Sequence, residues 1–426
     1  MRSITHYGSA MKGTNGFGAC RSCRAPLTES VIDLGSQPLA DYFPTPEEVA
    51  EGEPSWPLHV VVCTNCWLVQ VREFEGADEI LAAHAHSSSS FSPTLLAHGR
   101  AFAAEVVRRA DLGPDSLVVE VASNDGYLLK EFADLGVPVL GLEHVKASAE
   151  AALALGVPTE QERFGTASAA RLAAEGRRAD VVISNHNLAN AGDLDDYASA
   201  LELLLAPGGT VAVEFHHVLE LIVQGQFDVI SHSHCCYLSL LTLQQVFERR
   251  GLILVDAERL PVHGGSVRAY ARRTSEGLVT GPGVERLLQA ERAAGLDQVT
   301  TYEGFTERVT EVQRLLIEGL RAWHQEGLRV AAYGAPAKGN TLLNSCGGVG
   351  TDLIAFTVDR STAKHGRVLP GSHIPIFPPE RILVERPDVV LILPWSLAPE
   401  ITRQMAQVTS WGGRFAVPIP RLTLLS

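Results

Sequence analysis

The stretch Val118-Val119-Glu120-Val121-Ala122-Ser123-Asn124-Asp125-Gly126-Tyr127-Leu128-Leu129 reads as a β-strand that breaks into a polar, glycine-bearing turn and then enters a helix. Open α/β sheets bind their ligands in such turns, at the carboxyl ends of parallel strands. Asp125 is short and acidic and offers oxygens to a cofactor's polar groups. Gly126 has no Cβ to keep a ligand away from the backbone. A second apolar run, Val137-Pro138-Val139-Leu140-Gly141-Leu142, ends at Glu143. An acidic residue at the tip of a second strand is where a ribose diol is held. No G-x-G-x-x-G accompanies the pair, so the pattern is an adenosine site without a pyrophosphate cradle. That points away from NAD and toward S-adenosylmethionine. The plainer alternative is a buried strand followed by an ordinary polar turn.

Strands and helices alternate outward from this point. A helix is expected from about Ser92 to Leu112, with Leu95, Leu96, Phe102, Val106 and Val107 on one face. Val118–Val121, Val139–Leu142, Val181–Ser184 and Thr210–Glu214 are expected strands, the last following the turn Ala206-Pro207-Gly208-Gly209. Such alternation implies a doubly wound, mostly parallel sheet. Residues Val284 to Gln325 predict a charged helical connector with an apolar stripe through Leu287, Leu288, Val312, Leu315, Leu316 and Leu320. A second α/β unit follows. It has strands Val330–Tyr333, Leu353–Val358 and Val389–Leu393, and a small-residue loop, Gly334 to Asn340, that opens a helix.

With 426 residues the chain exceeds one compact core. Its composition, 46% hydrophobic and 20% charged, is that of a globular protein, and a net charge of -14 argues against nucleic-acid or anionic-membrane partners. No apolar run is long enough to span a membrane. Met1 to Phe17 has no apolar core of a secretion signal and is expected to be a disordered lead-in, which makes the cytoplasm the expected compartment.

In a reducing compartment Cys20-Arg21-Ser22-Cys23 and Cys63-Thr64-Asn65-Cys66 read as two metal knuckles, not disulfides. Together they offer four thiolates, a tetrahedral set that suits zinc and leaves no position for water, so the metal is expected to be structural. The alternative is four unrelated buried cysteines. Cys235, Cys236 and Cys346 are read as small apolar residues.

Titratable side chains are densest between Phe215 and Ser239: His216, His217, His232 and His234. His232 and His234 share a side if their segment is a strand. They can serve as a base, a substrate clamp or, least well, a second metal site, or be plain loop histidines. Further on, His263-Gly264-Gly265-Ser266-Val267-Arg268 is either a simple hairpin turn or a close ligand contact, with Arg268 available to a phosphate. In the C-terminal unit Lys338 sits at a helix start that favours anions, and Asp359, Arg360, Lys364, His365 and Arg367 follow the next strand. This basic patch can meet phosphates, or the unit can be merely structural.

In this order the pieces resemble the deoxysugar C-methyltransferases of natural-product biosynthesis. The resemblance covers nearly the whole chain after residue 18 and rests on the paired knuckles, Glu120–Leu129, Val262–Arg268 and Tyr333–Lys338. It implies a zinc-binding domain (18–90), a class I methyltransferase-like S-adenosylmethionine domain (91–275), and a helical connector with a C-terminal Rossmann-like substrate domain (276–426). Cys20, Cys23, Cys63 and Cys66 would ligate zinc. Asn124, Asp125, Gly126, Tyr127 and Glu143 would line S-adenosylmethionine or S-adenosylhomocysteine, with Glu120, Ser123 and Asn185 at the strand ends. His216, His263, Gly264, Gly265, Arg268, Tyr333, Lys338, Asp359, Arg360 and Lys364 would meet a nucleotide sugar.

The catalytic segments depart from the family pattern. Where the family has Phe-Asp-x-Ile-Tyr-x-Glu-His, this chain has Phe227-Asp228-Val229-Ile230-Ser231-His232-Ser233-His234, so the tyrosine becomes Ser231 and the glutamate Ser233. The family histidine after the fourth strand falls at Asn190. A tyrosine-rich segment is replaced by Ala83-His84-Ala85-His86 ahead of four serines. The expected catalytic set is therefore His234 as base, with His232, Asn190 and Ser231. The first expectation is C-methylation of a nucleotide-linked keto-deoxysugar or a related natural-product intermediate by a monomer or homodimer. The alternatives are cyclisation, elimination or epimerisation on the same scaffold, or a non-catalytic binding protein.

Overall fold

The computed structural model describes residues 17–73 and 92–425. The 83–90 segment compared above lies outside them. In the N-terminal unit β1 (Glu29–Gln37), β2 (Trp56–Val62) and β3 (Val69–Val71) form an antiparallel meander. The helix Pro46–Glu51 between β1 and β2 is closed by a capping box, in which Thr45 Oγ1 accepts from the Glu48 amide and Glu48 Oε2 accepts from the Thr45 amide.

The central unit is built on β4 (Val118–Val121), β5 (Val139–Leu142), β6 (Thr159–Glu160), β7 (Ala179–Asn185) and β8 (Leu205–His216), all paired in parallel. β4, β5 and most of β7 are buried runs of Val, Ile and Leu, as a sheet covered by helices on both faces requires. A short strand β9 (Cys236–Tyr237) then leaves this unit to pair with β3, becoming the fourth strand of the N-terminal sheet. β10 (Leu252–Leu260) and β11 (Ser266–Arg273) form a hairpin, and β11 lies antiparallel to β8. The sheet order is β10-β11-β8-β7-β4-β5-β6. The chain runs outward from β4 through β5 to β6, then returns to β7 and β8 on the other side. The reversal opens a crevice at the carboxyl ends of β4 and β7. This is the class I methyltransferase-like sheet expected above. One detail differs: Pro207-Gly208-Gly209 does not precede the fifth strand but is a bulge inside β8, between the Ala179–Leu205 and Val181–Thr210 pairs.

The connector folds as helices Pro282–Ala293, Val299–Glu303 and Phe305–Gln325. The last buries Val309, Val312, Leu316, Leu320 and Trp323 at helical spacing. The C-terminal unit has β12 (Val330–Tyr333), β13 (Thr357–Val358), β14 (Ile376–Phe377), β15 (Val389–Ile392), β16 (Arg414–Val417) and β17 (Thr423–Leu425), in the order β14-β13-β12-β15-β16-β17. All pairs but β16–β17 are parallel, so a second switch point lies at β12 and β15. β13 is shorter than expected because Leu353 and Ile354 turn back to donate to the Gly350 carbonyl. Asn340 Nδ2 donates to Ala40 O at 2.5 Å and Thr341 Oγ1 to Ile230 O at 2.7 Å, docking this unit on both others. Among the described residues no helix is long and apolar enough to cross a membrane.

Candidate active site

The four knuckle sulfurs lie within 4.8 Å of one another, with Cys20–Cys66 at 3.6 Å and Cys23–Cys63 at 3.5 Å. The knuckles repeat one geometry. Arg24 and Trp67, just after each, both have φ of 61°, and each donates its amide to the first cysteine's carbonyl. Gln70 Nε2 and the Ser22 amide also point at Cys20 Sγ, at 3.3 and 3.4 Å. Bonds from Cys63 and Cys66 draw the Cys20 thiol far below its ordinary range, while Cys20 pushes Cys63 up to about 11 and Cys66 up as well. Four clustered sulfurs, three of them buried, cannot all ionise without a cation, and with donors already aimed at one of them they fit a closed tetrahedral zinc.

In the crevice, Ala122 and Asn124 take left-handed φ of 54° and 53°, and Gly126 of 77°. Glu143 holds this turn in place: its carboxylate accepts from the Asn124 amide at 2.9 Å and the Val145 amide at 2.7 Å. Gly126 is required by packing, since a Cβ there would lie 3.0 Å from Ala152 Cβ. Gly141, unremarked in the sequence, leaves room for Ser123, whose Oγ would lie 2.4 Å from a Cβ at that position. Among the described residues Glu120 Oε2, Ser123 Oγ and Asn185 Oδ1 are buried without a hydrogen-bond partner. Burial, then Asp125 and Glu143, push the Glu120 carboxyl well above its usual range. Tyr127 follows the turn, and burial raises its phenol too. Unsatisfied acceptors and hydroxyls around a left-handed turn fit the hydroxyls and amines of an adenosine-bearing cofactor.

Beside the crevice, Glu214 at the end of β8 is almost wholly buried. It accepts from His186 Nε2 at 3.0 Å, His98 Nε2 at 3.0 Å and Arg268 Nη2 at 2.7 Å. Burial would raise its carboxyl, but the His186 and His98 bonds and the Arg268 charge hold it well below the usual range. His186 (φ 54°) and His263 (φ 57°) are both strained and meet edge to face at 4.5 Å. His216, His234 and His263 have their imidazoles pushed down by burial, helped by the charge of Lys338. His234 is brought to about 4. The structure thus brings His216, His234, His263 and Lys338 together with His186.

Other expected residues lie elsewhere. His232 Nε2 donates to Trp56 O at 3.2 Å, and its ring packs on Trp56, so it joins the N-terminal unit. Asn190 is exposed on a one-turn helix, Leu188–Asn190, while His186 occupies the end of β7. Ser231 is buried, its Oγ 3.1 Å from Ser233 Oγ and its amide 3.2 Å from the Tyr237 hydroxyl. Arg268, expected at a phosphate, is turned inward: Glu214 and Glu258 take its charge, and its guanidinium lies 4.0 Å from the Phe102 ring. Gly264 and Gly265 serve packing, because a Cβ on Gly264 would lie 2.4 Å from the Trp395 ring and one on Gly265 2.5 Å from Glu220. Trp395 Nε1 donates to Asp228 Oδ2 at 2.7 Å, and Lys338 Nζ lies 5.6 Å from the Trp395 ring centroid.

In the C-terminal unit Asp359 repeats the Glu143 arrangement, accepting from the Ala335 amide at 2.7 Å and the Ser361 amide at 2.8 Å. Lys364 donates to Ala335 O at 2.8 Å and lies 3.6 Å from Asp359. Tyr333 reaches Gln404 Oε1 at 3.4 Å, and Arg360 is exposed. Sequence reasoning does not find His98, His186 or Glu214, because no local spacing links a helix, two strand ends and a hairpin.

Residues 20–80 match the family "Putative zinc binding domain", 93–257 "Methyltransferase domain" and 261–420 "C-methyltransferase C-terminal domain". The chain is 36% identical over 407 residues to the C-methyltransferase NovU of Streptomyces niveus, covering 96% of each. Among solved structures, the CcbJ methyltransferase of Streptomyces caelestis is 20% identical over 41% of this chain and 89% of its own, with a TM-score of 0.32. The magnesium protoporphyrin IX methyltransferase of Synechocystis PCC 6803 with bound SAH is 14% identical over 46% and 93%, with a TM-score of 0.34. Carrying all three units in order, and related to NovU over 96% of its length, the chain belongs to the C-methyltransferases and is an S-adenosylmethionine-dependent methyltransferase.

Proposed function

We propose that this enzyme methylates a carbon next to the keto group of a nucleotide-linked keto-deoxysugar or a related natural-product intermediate. The carrying observation is the cluster of His186, His216, His234, His263 and Lys338 beside the cofactor crevice, walled by Trp395 from the C-terminal unit. Bound in the crevice, S-adenosylmethionine supplies a methyl group on a positively charged sulfur. Glu120, Ser123 and Asn185 offer it the polar atoms left unsatisfied, and Glu143 keeps the turn in shape. The side chains around the cluster hold the carbonyl, while a histidine takes the proton from the neighbouring carbon. His234 is held by its Nδ1–H bond to Val229 O at 3.2 Å, and burial keeps its ring neutral at pH 7, so it forms an uncharged side of the cluster. The Asp359 turn, so like that of Glu143, supports a second ligand site for the nucleotide portion. A zinc in the cysteine cluster is structural on this reading.

The test is methyl transfer from isotope-labelled S-adenosylmethionine to a nucleotide-linked 4-keto-6-deoxyhexose. The expected result is one S-adenosylhomocysteine per product, with the label on carbon. Label on oxygen or nitrogen, or no transfer to any keto sugar, would refute the proposal.

A further inference from the structure

We propose that the proton acceptor of this site is His186, with Glu214 and Arg268 as its positioning residues. This rests on the methyltransferase reading above and deepens it.

Three observations carry the assignment. First, His186 follows Asn185 directly at the carboxyl end of β7, on the rim of the crevice that the strand-order reversal creates. Second, its ring is fixed from one side: Nε2 donates to Glu214 at 3.0 Å, so Nδ1 keeps its lone pair for substrate. Glu214 is itself fixed by Arg268 at 2.7 Å and His98 at 3.0 Å, and its low proton affinity keeps it ionised. An ionised carboxylate behind an imidazole both selects the tautomer and stabilises the imidazolium formed when the proton arrives. Third, His186 has a left-handed backbone, paid for by a 2.6 Å bond from its amide to Glu214 O, and a neighbour at 4.5 Å in the equally strained His263.

The other cluster histidines lack such a carboxylate. His234 rests on a backbone carbonyl, and burial and the Lys338 charge oppose its protonation. His216 and His263 are pushed down by the same causes. These three suit a neutral wall around a carbonyl better than a proton acceptor.

In the step, the C–H bond beside the carbonyl breaks, its proton goes to Nδ1 of His186, and its electron pair forms the enolate. The enolate carbon bonds to the methyl carbon as the C–S bond breaks, with that electron pair leaving on sulfur. His186, its side chain 30% exposed, then returns the proton to solvent.

The experiment uses the full chain with S-adenosylhomocysteine and a nucleotide-linked 4-keto-6-deoxyhexose in D2O, following exchange of the protons beside the carbonyl by NMR. We expect the wild type to exchange, and H186A to exchange at least 100-fold more slowly while binding S-adenosylhomocysteine within twofold of wild type by calorimetry. E214Q should slow exchange less, and in 15N-histidine spectra it should release His186 from the single Nε2–H tautomer expected of the wild type, a signature that a merely structural role would not move. H186A exchanging within threefold of wild type, or H234A alone abolishing exchange, overturns the inference and leaves the methyltransferase reading standing. A wild type that neither exchanges nor methylates any keto sugar removes both.

Discussion

Glu120 is a carboxyl whose surroundings oppose its charge. It is buried at the end of β4, near Asp125 and Glu143, with one oxygen unsatisfied. Its proton affinity is higher folded than unfolded, so its contribution to stability is present at acidic pH, below the unfolded value, and is lost as pH rises through the folded one. E120Q, neutral throughout, should therefore raise the apparent Tm of the cofactor-free enzyme at pH 8 by roughly 2–4 °C for each kcal/mol regained, and change it little at pH 4. A variant no more stable at pH 8 than at pH 4, relative to wild type, would show that Glu120 keeps its charge comfortably. At this scale the turn around Glu120 is legible in the sequence because strand, turn and helix are consecutive. The Glu214 network is not, because residues 98, 186, 214 and 268 meet only once the sheet has formed.

Among the elements, the two knuckles are the most legible, since each pair of ligands sits in one short turn. Their geometry makes the metal a fastener between β2 and β3: Cys63 follows directly on β2, and its amide bonds to Leu68 O at 3.0 Å, just ahead of β3. Structural zinc contributes on the order of 10 kcal/mol in small zinc-dependent peptides. One zinc per chain by elemental analysis is expected, and C63S should lose it and lower the apparent Tm by at least 5 °C. An unchanged metal content or Tm in C63S would deny the cluster this role. Elements defined by glycine were harder to read. Pro207-Gly208-Gly209 has the composition of a turn, yet the strand continues through it as a bulge because both flanks pair with β7. Gly264-Gly265 marks a hairpin, but its glycines answer to Trp395 and Glu220, which local sequence cannot show.

For the whole molecule, the order of the three units is legible and their contacts are not. Trp395 crosses from the C-terminal unit to bond Asp228 and to press on Gly264, next to His263. G264A would put a Cβ into that ring at a φ of 92°, costing about 1–3 kcal/mol by overpacking. We expect G264A to cut methyl transfer at least tenfold with S-adenosylhomocysteine affinity within twofold of wild type, because the crevice belongs to the central unit. Equal loss of both would place the damage in the central sheet instead.

The strand β9 has a consequence for how the protein comes into being. The N-terminal sheet takes its fourth strand from residues 236–237, after the whole of β4 through β8. On the ribosome, a nascent chain can gather its four cysteines early, but the edge of β3 stays open until most of the central unit has been synthesised. The N-terminal unit is therefore no detachable module. A chimera that grafts it onto another enzyme would carry an open strand edge, and evolution by simple shuffling of this unit would meet the same obstacle.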